Sequence, residues 1–188
     1  MFDKNNNLKV MCALLLAVFS IAGCTIGSVN SRTSDVTPHK LSNINVEWVS
    51  NPKLKYKVTK FAQAVTKEKA EQAAKINAVD KAVALREMKQ LVSAFSKSAA
   101  TMLENKLNDH GVAKGDSNLL KIMPVKAGVI LGGGRSIHIQ ITIISTSPDA
   151  QPWSAQISVN GTRSTDDSEF AEKFAKTVFS ELRSSGWI

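Results

Sequence analysis

Cysteine is nearly absent: Cys12 and Cys24 are the only two in 188 residues. Cys12 lies within an apolar run that reads as part of a cleaved leader, and Cys24 stands where that leader ends. With both accounted for, no thiol is left for a disulfide, a zinc site or a nucleophile, so the fold is expected to hold by core packing alone. Long apolar runs are lacking as well. The stretch Val10 to Ala22 falls well short of the about 20 residues that a membrane-spanning helix requires. Histidine is scarce, and no pair among His39, His110 and His138 has metal-ligand spacing. No G-x-S-x-G elbow occurs, and no phosphate loop feeds a helix. Acidic residues are the minority, 16 against 24 Lys and Arg.

What is present begins with a leader. Lys4 and Lys9 precede the apolar run and the small residues Ala22 and Gly23 close it, the outline of a secretory signal peptide. The four residues Ile21-Ala22-Gly23-Cys24 resemble the bacterial lipobox, in which the cysteine thiol is acylated as a thioether and becomes the first residue after cleavage. That resemblance implies lipidation of Cys24 and a membrane attachment through lipid. With Thr25 rather than aspartate next, it also implies the outer membrane, with the protein body facing the periplasm. Losing Lys4, Lys9 and Asp3 with the leader takes the formal charge from +8 to +7. Such a balance favours anionic partners, whether lipid head groups, lipopolysaccharide phosphates or glycan carboxylates, and the compartment excludes nucleic acid.

Three segments follow: a leader over 1–23, a flexible tether over 24–42 and a single α+β domain over 43–188. The tether is inferred from TIGSVNSRTSDVTPHK, which is polar and shows no apolar period. Alternation predicts a strand over Ile44 to Val49, then a second in KLKYKVTKF, the two forming a pair. From Thr66 to His110 the period is helical, with Met88, Leu91, Val92, Phe95, Ala99, Met102 and Leu103 as the stripe, in one helix or in two with a break near Asn77 to Asp80. Three β segments follow: Leu119 to Val125, with an edge or bulge at Pro124, then Ser136 to Ser145, then Trp153 to Arg163. A helix from Asp167 or Ser168 closes the chain on the stripe Phe170, Phe174, Val178 and Leu182. The expected architecture is a two-layer α+β sandwich, a mainly antiparallel sheet with the long helix and the C-terminal helix on one face.

Few residues invite a chemical role. Glycines in GVILGGGR lead into a strand, so they read as a hairpin turn. Asp166-Asp167 opens a helix, which capping explains. Trp153 and Trp187 read as packing residues. The lysines of the second strand are the candidate binding surface: Lys53, Lys55 and Lys57 fall on one face at intervals of roughly 6–7 Å, with Lys60 beyond. A solubilising face or an aggregation-resistant edge accounts for the same ladder.

The span Met102 to Ile188 joins a helix ending TMLENKLNDHGV, three strands, a tryptophan opening the last of them in QPWSAQISV, and a helix ending ELRSSGWI. This layout resembles the small α/β outer-membrane lipoproteins that assist envelope machines: auxiliaries of ABC-type lipid transporters, the lipoprotein partner of the lipopolysaccharide translocon, and activators of penicillin-binding proteins. The Ala-rich helix before Met102 is longer than that layout requires. The resemblance implies a non-catalytic protein without cofactor or metal, docking on an envelope protein complex. An envelope hydrolase or glycan-processing enzyme with dispersed polar residues is the alternative, followed by a secretion or conjugation lipoprotein.

Overall fold

Strict alternation of Ile137, Ile139, Ile141 and Ile143 with polar residues makes one strand with one greasy side, and the rest of the molecule is arranged about it. The computed structural model describes residues 25–33, 36–60, 77–146 and 151–188. Its elements in chain order are β1 (Ile26–Arg32), β2 (Asn43–Trp48), β3 (Lys55–Lys60), α1 (Ala78–Asn108), β4 (Ala113–Leu131), β5 (Gly134–Ser145), β6 (Trp153–Thr162) and α2 (Asp167–Ser184). The strands form one sheet in the order β1-β6-β5-β4-β2, with β3 also on β4. Both helices pack on the same side of it, giving the expected α+β sandwich.

β1 pairs antiparallel with β6, β6 with β5 and β5 with β4. The two early strands do not pair with each other. Each lies parallel to β4, Asn43–Trp48 along its first half and Lys55–Lys60 along its second. The reason is length: β4 runs 19 residues, far beyond the expected Leu119 to Val125, and its free edge accommodates both. Pro124 has no N–H to give, and the ladder to β5 shifts register between Pro124 and Lys126, so the proline marks a bulge inside the strand. Asn51 in the connection between β2 and β3 donates its Nδ2 to the Pro124 carbonyl (2.8 Å) at this same point.

The segment expected to be a tether is in part a strand. Ile26–Arg32 adds to the outer edge of β6, where ladder hydrogen bonds suffice without an apolar side. Gly27 lets its backbone lie directly against Thr177 and Lys173 of α2, a place where a Cβ would overlap Thr177 Oγ1. Farther on, the Leu41 N–H donates to the Trp187 carbonyl (2.7 Å) and Leu41 is buried.

α1 starts at the Asn77 cap, whose side chain accepts the Asp80 N–H (2.7 Å), so within the described residues the helical pattern begins there; residues 61–76 lie outside them. Ala84, Met88, Leu91, Phe95, Ala99, Leu103 and Leu107 form its buried stripe. α2 is capped by Asp166, which accepts the Ser168 N–H, and buries Phe170, Phe174, Val178 and Leu182. Both helices end alike. Gly111 (φ 85°) and Gly186 (φ 81°) take the left-handed conformation, and the N–H of the next residue reaches back to the last turn, Val112 to Leu107 and Trp187 to Leu182. The side chains of Val112 and Trp187 then fold into the core, completing a Schellman closure with its apolar contact.

The core divides unevenly. Most of it joins α1 and α2 to β2, β4, β5 and β6, with Phe95 against Phe174 (5.2 Å between centroids) and Trp153 against Trp187 (5.9 Å). A smaller cluster of Ala84, Met88, Ala127 and Val129, flanked by Tyr56 and Val58, binds the start of α1 to β3 and the second half of β4.

Candidate functional site

With both helices on one side, the other side of the sheet carries no described element. Register fixes what it presents. Reading across the strands, one row is Lys55, Lys126, His138, Ser158 and Ser28; the next is Lys57, Gly128, Ser136 and Asn160; on the other flank lie Glu47, Lys121 and Thr142. Among the described residues, four lysines therefore stand on this face against one carboxylate. Tyr56 and Val58 point the other way, into the smaller core, which is why Lys55 and Lys57 must point out.

Lys55 and Lys126 are register partners on neighbouring strands, so their side chains leave the sheet about 5 Å apart. Like charges facing each other across a ladder destabilise it. A lysine that only discourages edge pairing belongs on β3 and needs no second lysine on β4 behind it, so edge protection explains Lys55 and Lys57 but leaves Lys126 unexplained.

Beside this pair runs a chain of polar side chains. Asn30 donates Nδ2 to Ser158 Oγ, and Ser158 Oγ lies 2.6 Å from His138 Nδ1. Because Ser158 already accepts from Asn30, its hydroxyl is free to donate to the imidazole, which suits a neutral His138. Burial, and secondly the charge of Lys126, holds the His138 pKa below its ordinary 6.5, favouring the same form.

A serine bonded to a histidine invites a hydrolytic reading, and the geometry argues against it. Ser158 is buried, its oxygen is already occupied by Asn30, and it sits mid-strand, where backbone N–H groups serve the ladder to β5 rather than an oxyanion. The nearest recess, lined by Ser31, Arg32, Thr33, Gln140, Ser154 and Gln156, is an open depression of about 270 Å³. Among the described residues no cluster of His, Cys, Asp and Glu could hold a metal ion, and no helix is long and apolar enough to cross a membrane.

Of the residues singled out in the sequence, Lys53 stands exposed in the turn before β3, and Lys55 and Lys57 are exposed on the uncovered face. Lys60 is the last residue of β3, in register with Leu131. Cys24 lies outside the described residues. The glycine run forms the β4–β5 turn, with Gly132 at φ 79°. His39 meets the edge of Trp187 (5.8 Å), while His110 Nδ1 donates to the Lys106 carbonyl (2.8 Å) and its ring lies against Phe179. Trp153 and Trp187 are core residues. Sequence reasoning missed Lys121, Lys126 and the Asn30–Ser158 link. Lys121 alternates with Leu120 and Ile122 and was findable; the bulge at Pro124 shifts the phase and hides Lys126.

No family model matches the chain, and no curated protein matches it. Among solved structures, the PelC dodecamer from Paraburkholderia phytofirmans aligns at a TM-score of 0.42 and 15% identity, over 81% of this chain and 96% of that one. A point variant of the same PelC gives 0.41 and 15%, over 81% and 95%. At so distant a likeness, no property of PelC is carried over to this protein.

Proposed function

We propose that this protein is a lipid-anchored, non-catalytic subunit of an outer-membrane complex, facing the periplasm, and that its uncovered sheet face binds an anionic partner. The leader and the Cys24 lipobox support the anchor. One observation carries the binding role: Lys55, Lys57, Lys121 and Lys126 gather on one sheet face with Glu47 as the one carboxylate among the described residues, and two of them adjoin at a cost to stability. Such a positively charged face suits the phosphates or carboxylates of an extended envelope polymer, or an acidic protein surface.

The test uses the full chain processed in its host and purified, with mass spectrometry of Cys24. Binding to a soluble polyuronate and to phosphatidylglycerol vesicles is measured across a salt series. Replacing all four lysines by glutamine should weaken polyuronate binding about tenfold at low salt, with the difference closing as salt rises. Equal binding by the two proteins refutes the role of this face, and an unacylated Cys24 refutes the anchor.

A further inference from the structure

The place where the chain enters the sheet fixes which end of the molecule meets the bilayer. Only Thr25 separates Cys24 from β1, so a lipid-bearing sulfur there lies within roughly 10 Å of the sheet, two residues of chain and one side chain. A sheet held so closely cannot stand off the membrane as a long tether would allow. Ile26 is in register with Asn160, near the end of β6, and Thr25 Oγ1 donates to Glu169 Oε2 (3.4 Å) in the first turn of α2. The β4–β5 turn is at this same end, because Gly134 pairs with Thr162. So is the start of α1, tied there by Glu87 to Arg163.

Four of the exposed large apolar side chains among the described residues fall at this end as well. Five large hydrophobic residues among those described are exposed: Ile26 (58%), Val29 (38%), Val79 (72%), Val83 (45%) and Ile130 (42%). Ile26 opens β1, Ile130 precedes the β4–β5 turn, and Val79 and Val83 occupy the first two turns of α1, while Val29 stands midway along β1 opposite Ile157. The opposite end, with the start of β4 and the C-termini of both helices, has none. Three elements distant in sequence thus leave exposed valines and isoleucines at the end of the sheet from which the chain runs toward Cys24. That distribution suits insertion into a head-group region, which receives isolated apolar side chains without needing one continuous patch.

We propose that the end bearing Ile26, Val79, Val83, Ile130 and the β4–β5 turn rests in the bilayer surface, with the strands rising away from it. The proposal rests on the lipid anchor at Cys24, and the experiment separates the two. Full-length Ile130→Cys, Val79→Cys and Asp116→Cys variants are processed in the host, checked by mass spectrometry for the acyl chains on Cys24, labelled with an environment-sensitive fluorophore and reconstituted in phosphatidylethanolamine and phosphatidylglycerol vesicles. Asp116 is the far-end control, exposed and about 45 Å from the turn by strand rise. Nitroxide lipids should quench labels at 130 and 79 about twofold or more over the label at 116. Acylated protein whose three labels are quenched alike, or most strongly at 116, overturns the proposal. Labels at 130 and 79 that respond only to protein concentration, and not to nitroxide lipid, overturn it in favour of a second copy on this end. Absence of acyl chains is the failure of the anchor itself.

Discussion

Replacing Lys126 by glutamine should make the fold more stable while making the protein a poorer binder, and those opposite signs distinguish a working surface from a structural one. Lys126 faces Lys55 in register, and two ammonium groups at about 6 Å would repel by about 0.7 kcal/mol in water. Measured cross-strand pairs span about 0.2–1 kcal/mol, so a gain of about half a kcal/mol is the expected outcome of urea unfolding at low ionic strength. Because exposed charges are screened, the gain should shrink in 1 M salt, where the Debye length is about 3 Å. The same substitution removes one of the two causes that depress the His138 pKa, so an NMR titration should find it raised toward 6.5 but short of it, burial being the larger cause. A variant that is destabilised by the same amount at both salt concentrations would refute the reasoning, since its loss would then lie in packing of the lysine stem.

Two further outcomes follow from the geometry. The His138 pKa is lowered in the folded protein, so the unfolded chain takes up its proton first: stability should be level above pH 6.5, fall as pH drops through the interval down to the folded value, and level again below it. Urea titrations of His138→Gln should lack that step. At β1, Gly27→Val would drive a side chain into Thr177, whose hydroxyl is held by the Lys173 carbonyl (2.8 Å). Hydrogen exchange at Val29 to Arg32 should quicken on the order of tenfold while β5 stays protected.

Much of this fold is legible from periodicity, because the isoleucines of β5 and the stripes of α1 and α2 bury one face each and need no tertiary context to be read. The end of α1 is legible for the same local reason, Gly111 following His110 where a left-handed residue stops a helix. β1 was illegible because an edge strand can live on ladder hydrogen bonds and on a close backbone approach at Gly27, neither of which leaves an apolar period. The shared partner of β2 and β3 was illegible too. Alternation reports a face and says nothing of a neighbour, and Pro124 disguised β4 as a strand too short to hold both. As for the site, Lys55 and Lys57 followed from the Tyr56 and Val58 alternation, whereas Lys126 and the Asn30–Ser158–His138 link exist only through pairing register.

The split of the core along β4 bears on how the molecule yields under load. Along β4 itself, Leu120 and Ile122 before the Pro124 bulge join the large cluster of both helices, whereas Ala127 and Val129 beyond it join only Ala84 and Met88 in holding β3 and the early turns of α1. Force or thermal agitation should peel that smaller cluster first, leaving the larger one intact as a separate cooperative unit. A pull applied through Lys55 and Lys57 would then be taken up by this smaller seam, and the lysine row could widen or close without unfolding the larger cluster.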